Sequence, residues 1–412
     1  MIIPISKWIR IYYNKVTGSI AFIPGISALA FLLLIWILLA VDFSEWGQNL
    51  KADFSWLRIK DASTARSLVS TVAAAIISLT VFSFSMVMIV LNQAASQMSN
   101  RVLHGMIENR FQQLILGFYI GTIVYALLLL STIRDNSSGI TVPSLSVYVL
   151  ILLTVIDIFL FIYFLDYVTK TVRYETVIGR LQNKVMESME SKFEKGQTQR
   201  PNWETLPKIE LKSPASNYFQ SFDEKKLLQL MTDQNLHANF LFKPTTYVLK
   251  NAVFMEIYGK ESLDDDDIKI ILSTVDFYDG QPVERNSDYG FTQLSEVAIK
   301  ALSPGINDPG TAVIALHALS DLFYFKMTHK LPETIHDDEG TPRIYRPSST
   351  FKELFEKCIL PIWNYGKNDK YIQDELYFII NQLKTLDSEG SYTYLFDSIL
   401  KKIAKHTEGW SH

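Results

Sequence analysis

Four apolar runs occupy the first 170 residues of the chain, at Ile20–Val41, Ser67–Leu91, Phe111–Ile133 and Leu145–Tyr167. The first three contain no Asp, Glu, Lys or Arg, and the fourth contains two acids, Asp157 and Asp166. About 20 mostly apolar residues cross a bilayer as a helix. Backbone groups in lipid must be satisfied within their own segment, which selects helices for such runs. The expected fold is a membrane all-α N-terminal half of four transmembrane helices with a cytoplasmic α+β C-terminal domain. That domain reads as mostly helical with a small β-hairpin or sheet. The expected boundaries are a membrane domain over 1–170, a helical extension and linker over 171–216, and the α+β domain over 217–412.

Lys7, Arg10 and Lys15 precede the first run. The run is too long for the apolar core of a signal peptide, and no small-residue cleavage pattern follows it, so it reads as a retained span. Four spans put both termini on one side. Lys170, Arg173 and Arg180 then join the N-terminal cations and the second-loop Arg101 and Arg110, and this bias favours both termini inside. Lys51, Arg58, Lys60 and Arg66 in the first loop dilute it. Cys358 is the only cysteine, which excludes an intrachain disulfide and suits a reducing compartment. The net charge of −4 gives no basic footprint for nucleic acid. A multi-pass protein of a bacterial cytoplasmic membrane, with the lipid bilayer as its surroundings, is the expected setting.

In the second run Thr64, Thr71, Ser78, Ser85, Asn92 and Ser99 recur every seven residues. Seven residues are nearly two helical turns, so these side chains form one slowly winding polar stripe. The pattern runs on to Arg101, which predicts one long helix projecting beyond the membrane. Two readings stay open: close helix packing through small and hydroxyl residues, or a water-facing wall around a symmetry axis. Gly117 and Gly121 in the third run form a G-x-x-x-G packing face. Asp157 lies near the middle of the fourth run with no Lys or Arg in any run to pair with it. An acid at that depth is costly. It is either a buried structural acid bonded to hydroxyls such as Ser85, Thr122 or Tyr125, or a cation or proton site.

In the polar half, Gly196–Ser216 reads as a linker and Phe222–Leu236 as a helix. Pro244–Tyr258 is rich in β-branched and aromatic residues, with a turn signal at Lys250-Asn251, and predicts a hairpin. Asp264–Asp267 reads as an acidic helix start and lacks the spacing and glycine of an EF-hand. Arg285-Asn286-Ser287-Asp288 leads into a predicted helix, Phe291–Leu302, and a second is predicted over Ala312–Phe325. Between them, Ser303-Pro304-Gly305-Ile306-Asn307-Asp308-Pro309 offers Asp308 as N-cap, Pro309 at N1 and Gly305 for a positive φ. The loop is either a rigid connector or a coupling and binding loop, with Arg285, Asp288, Ser303, Asn307 and Asp308 as its candidate residues. Segment 331–348, with its Asp337–Gly340 turn signal, is expected to be exposed. Three helices are predicted after it, over Phe351–Tyr365, Tyr371–Leu386 and Tyr392–Ala404.

The motif Ala301–Pro309, followed by Thr311-Ala312, resembles the signature of a bacterial predicted-membrane-protein family of unknown function. The segments Asn92–Arg101 and Gly117–Tyr125 resemble it too, so the resemblance covers most of the chain. Gly310 departs from the bulkier residue usual at its position. The family implies four spans followed by a soluble domain and brings no activity with it.

The sequence has no Walker A motif, dinucleotide glycine fingerprint, G-x-S-x-G or H-E-x-x-H. Its seven histidines lack the spacing of a zinc site. No catalytic residue, metal or cofactor is expected, and the chain does not read as an enzyme. The first functional expectation is a homo-oligomeric ion channel or channel-like pathway with a cytoplasmic vestibule or gating domain. Its pore-lining candidates are Thr71, Ser78, Ser85, Asn92 and Ser99, and Asp157 is its intramembrane acid. The alternative is a membrane-anchored sensor or scaffold that binds a ligand or partner through the polar half.

Overall fold

The computed structural model describes residues 21–54, 57, 59, 61–97, 110–133, 142–171, 173–191, 200–280, 282–329 and 332–407. The chain divides into two compact units. One comprises Met1–Ser96 and Val102–Arg173, and the other Tyr174–His412 with Gln97–Arg101.

The first unit contains four helices long and apolar enough to cross a membrane. They are α1 (Phe22–Phe43), α3 (Ala62–Gln97), α4 (Arg110–Thr132) and α5 (Ser144–Thr171). A short polar helix absent from the sequence reading, α2 (Glu45–Asp53), follows α1. It starts because Ser44 stops α1 in extended backbone and accepts the Gly47 N–H through its hydroxyl at 3.2 Å. At 36 residues, α3 is about 54 Å long, well beyond a hydrocarbon core of about 30 Å. Large apolar side chains such as Leu33, Trp36 and Phe159 are exposed on α1 and α5, as a lipid-facing surface requires.

The glycine pair of α4 packs inside the chain. A Cβ on Gly121 would stand 2.6 Å from the Phe31 ring of α1, and one on Gly117 2.6 Å from Ser27 Oγ and 3.2 Å from Pro24 Cα. These glycines let α1 and α4 approach closely, so their face is already occupied within one protomer. Gly121→Leu is expected to destabilise the unit by about 1–3 kcal/mol through overpacking. Thermal unfolding of the detergent-extracted protein measures this, and an unchanged transition would show that the contact is dispensable.

The second unit holds two small sheets and a helical layer. Segment 171–216, expected to be a helical extension and linker, supplies the helix as α6 (Tyr174–Glu190), while its linker part contains a strand, β1 (Lys208–Lys212). α6 is separate from α5, which ends at Thr171, and it packs its Val177, Leu181 and Val185 side inward. Val185 lies against Gly290, where any Cβ would collide at 1.9 Å. The next elements are β2 (Asn217–Phe222), α7 (Glu224–Asp233), β3 (His237–Phe240), β4 (Tyr247–Val248), β5 (Val253–Tyr258), α8 (Asp265–Thr274) and β6 (Val275–Phe277). After them come α9 (Ser287–Ala301), α10 (Pro309–Thr328), β7 (Thr334–His336), β8 (Pro342–Tyr345), α11 (Phe351–Gly366), α12 (Lys370–Leu386) and α13 (Thr393–Thr407).

The strand order is β1-β5-β3-β8-β7 in one sheet and β4-β2-β6 in the other. The expected hairpin over 244–258 does not form. The chain does turn at Asn251, which adopts φ 67°, but β4 pairs with β2 while β5 pairs with β1 and β3. A local turn signal fixes a reversal and not the partners, which burial of Phe254, Met255 and Ile257 decides. Segment 331–348 is also corrected. Its turn exists at Gly340 (φ +79°), but it joins β7 to β8. β8 lies parallel to β3, and a buried ion pair between Arg343 Nε and Asp337 Oδ2 (2.7 Å) anchors the hairpin.

Helix starts follow the capping chemistry. Asp223, Asp264, Asn286, Asp308 and Asp369 each accept an N–H of the following first turn, and Thr350 with Glu353 closes a capping box. Stacked and edge-on contacts among Phe291, Phe323, Phe351, Phe355 and Phe396 fill the helical layer.

Candidate functional site in the membrane unit

α3 packs against its own chain through Ala62, Ala65, Val69, Ala73, Ile76 and Ser83, all buried. Their spacing of three, four and seven residues marks one side of the helix. Thr71, Ser78, Ser85 and Asn92 fall on the opposite side and are exposed. Ser67, Ala74 and Ala75 beside them are exposed too, and Phe82 and Ile89 share this face, so the outward side mixes small and hydroxyl residues with large apolar ones. Ser85 turns its hydroxyl onto its own helix, donating to Val81 O at 2.9 Å. Ser99 lies outside the described residues.

Asp157 is fully buried. Neither carboxylate oxygen makes a hydrogen bond among the described residues, and the same holds for Ser83 Oγ and Tyr119 Oη. Thr122 lies beside Asp157, Tyr119 is within its electrostatic reach, and Ser83 lies beside Tyr119. Thr122 has committed its proton to Phe118 O at 3.1 Å. α3, α4 and α5 thus enclose a polar seam inside an otherwise apolar cluster of Ile76, Ile115, Leu116 and Phe164. Thr122 was among the hydroxyls expected near Asp157. Ser85 faces outward, and Tyr125 donates to Ser146 O at 2.9 Å. Tyr119 and Ser83 take their place. They went unread because the sequence shows that a helix has faces, but not which faces meet.

At the N-terminus of α5 a second acid, Asp42 of α1, has a complete set of partners. Asp42 Oδ2 accepts the Ser146 N–H and hydroxyl, both at 2.8 Å, and Oδ1 accepts the Leu145 N–H at 3.2 Å. Lys51 Nζ of α2 donates to Asp42 Oδ1 at 3.0 Å and to its backbone oxygen at 2.7 Å. The negative charge therefore sits at the positive end of the α5 dipole and ties α1, α2 and α5 together. Sequence reading passed over Asp42 because its partners are 103 and 104 residues away.

The loop between α9 and α10 is closed by its own backbone. Ile306 and Asn307 donate to Ser303 O, and Asp308 N–H donates to Ala301 O at 2.8 Å. The Ser303 hydroxyl donates to Lys300 O. Asp308 caps α10 by accepting the Thr311 N–H at 3.1 Å and hydroxyl at 2.6 Å. The positive φ falls on Asn307 (48°) and not on Gly305, a correction that places the reversal immediately before the cap. A Cβ on Gly310 would meet only Asp308 Oδ1, at 3.5 Å, so the site has room for a larger residue. Arg285 pairs with Asp276 at 3.3 Å, and Asp288 lies in the first turn of α9. The geometry is that of a connector, with the Asn307 side chain exposed at its tip.

Four membrane-length helices, three of them around a buried acid, followed by a two-sheet α+β unit, define a multi-pass membrane protein with a large polar C-terminal part. The chain belongs to the predicted membrane protein family DUF2254, whose model matches residues 17–382. It is 22% identical over 319 residues to uncharacterized proteins of Mycobacterium bovis and Mycobacterium tuberculosis. That match covers 75% of this chain and 61% of each relative, so the chain spans about three fifths of the length of these relatives. No solved structure matches.

Proposed function

We propose that the protein assembles as a homo-oligomer in a bacterial cytoplasmic membrane, both termini inside, and that α3 lines an ion-conducting path on the shared axis. The observation that carries this reading is the side of α3 on which Thr71, Ser78, Ser85 and Asn92 lie, opposite its intrachain packing face. A helix surface facing lipid gains from large apolar side chains, and α1 and α5 expose them. α3 exposes large apolar side chains too, Val81, Phe82, Phe84 and Ile89 among them, but its outward side also carries the file of Thr71, Ser78, Ser85 and Asn92, and that polar file suits a neighbouring copy or water. A symmetric ring supplies both, because the same patch recurs around the axis. Asp157 then sits behind the lining helix as a buried acid, and it is the candidate for setting cation preference.

Cysteine accessibility tests this reading. Cys358 is buried, and burial pushes its thiol up to about 12, so it contributes little background labelling. Ser78→Cys and Ser85→Cys are expected to react with a membrane-impermeant thiol reagent in intact membranes, and Ile76→Cys is not. If both serine positions stay inert while an exposed position in the first turn of α3, Ser63→Cys, reacts, the conduit is excluded.

The second reading, a membrane-anchored sensor, is favoured by a polar cavity in the C-terminal unit beside Asn239 and Tyr258. The two readings combine if that cavity gates the path.

A further inference from the structure

Side chains alternate across the five-stranded sheet. Ala238, Phe240, Met255, Ile257 and Ile344 enter the apolar core. His237, Asn239, Glu256, Tyr258 and Tyr345 stand on the other face, as the register of β3, β5 and β8 requires. The segment 200–204 crosses that face. It is fixed by Trp203, which is buried, stacks on His237 at 4.9 Å and lies 6.0 Å from the Tyr258 ring. Between segment and sheet is a cavity of about 190 Å³, lined by residues 200–204 with Asn239 and Tyr258.

The hydrogen-bond account of this cavity leaves a specific remainder. Glu256 is fully engaged: Oε1 accepts from Lys208 Nζ at 2.9 Å, and Oε2 from Asn239 Nδ2 at 2.7 Å and the Tyr258 hydroxyl at 2.8 Å. Burial alone would raise the Glu256 carboxyl, but the bonds from Lys208, Tyr258 and Asn239 together hold it below its usual range. Its charge is therefore balanced, and it contributes the scaffold of the site. Asn239 uses one amide N–H on Glu256 and keeps Oδ1 as an acceptor. At the rim, the Arg200 guanidinium is held 5.8 Å over the Tyr345 ring and makes no ion pair or hydrogen bond among the described residues. The Glu204 carboxylate likewise has no partner among them; only its backbone N–H is engaged, to Asn202 Oδ1 at 3.2 Å.

One unpaired cation, one unpaired anion and one amide oxygen thus border a single polar cavity. A ligand of one sign would satisfy one rim charge and meet the other as a like charge. A ligand with both charges satisfies both. The cavity is smaller than the roughly 300–1,000 Å³ of drug-sized pockets, so the ligand is small. We propose that this cavity binds a small zwitterion of the α-amino acid class. Its carboxylate pairs with Arg200, and its ammonium is received by Glu204 and Asn239 Oδ1. Arginine's planar fork favours a carboxylate partner, and the aromatic wall of Trp203 and Tyr258 limits side-chain size. The proposal does not rest on α3 lining a conduit. The site would serve a transporter, channel or sensor equally.

Titration calorimetry of the full-length protein in detergent tests it, with the standard α-amino acids added singly. At least one is expected to bind, with Kd on the order of 0.1–1 mM because the rim is exposed. Its amide derivative, lacking the carboxylate, and its N-acetyl derivative, lacking the ammonium, are expected to bind at least about tenfold more weakly. Arg200→Gln and Glu204→Gln lie on the surface and keep the fold, which an unchanged thermal transition verifies, and each is expected to weaken binding by a similar factor. No heat from any amino acid up to about 10 mM overturns the proposal. So does equal binding of the blocked derivatives, or binding that survives both substitutions. None of these outcomes bears on thiol labelling of α3, so the two readings fail separately.

Discussion

Asp42→Ala is expected to cost the membrane unit about 3–5 kcal/mol, the usual loss when one partner of a buried ion pair is removed. The Asp42 side chain is 0% exposed and its Lys51 partner 15% exposed. The substitution takes the carboxylate away from the Lys51 ammonium, and it also releases the N–H groups of Leu145 and Ser146 and the Ser146 hydroxyl. The first N–H groups of a helix have no partners within the helix, so α5 loses its cap and its favourable dipole contact together. Asp42→Asn keeps the shape but loses the charge, and should fall between Ala and wild type. Thermal unfolding in detergent reads the order wild type, Asn, Ala. If Asp42→Ala matched wild type, the bonds joining α1, α2 and α5 would be shown to contribute nothing.

Asp157→Leu should have the opposite sign. A buried polar group without hydrogen bonds costs about 1–3 kcal/mol, and Asp157 presents two such oxygens amid apolar neighbours. Replacement by leucine is expected to raise stability by an amount in that range, and, if the proposed conduit operates, to abolish its ion flux in reconstituted vesicles. A residue that weakens its surroundings is retained when it acts, which is the trade between stability and activity seen at working sites. Destabilisation by Asp157→Leu would identify Asp157 as a structural element of the seam. Flux equal to wild type would remove the acid from the conducting mechanism.

The two acids also show what the sequence made legible. Both were visible as residues, and the four spans were readable because hydropathy over about 20 residues is a local quantity. The Asp308 cap with Pro309 was readable for the same reason, since cap and helix are adjacent. The engagement of Asp42 and the isolation of Asp157 were not readable, because each depends on which helix faces meet. The glycine pair of α4 could be recognised as a close-packing device, but not that Phe31 and Ser27 of α1 would fill it. In the polar half, the turn at Asn251 was visible, whereas the assignment of β4 and β5 to different sheets follows from distant pairing. Segment 200–204 gave no signal of its cavity, since its composition is that of a connection and its meaning comes from the sheet face beneath it.

The parallel pairing of β3 with β8 has a consequence for biosynthesis. Ala238 pairs with Ile344, so more than a hundred residues, including all of α9 and α10, separate the two strands. While the polypeptide leaves the ribosome, β3 gains β5 early but keeps one open edge until residue 345 has emerged. Unpaired strand edges recruit other chains. The open edge of β3 therefore persists until its late-arriving strand closes it.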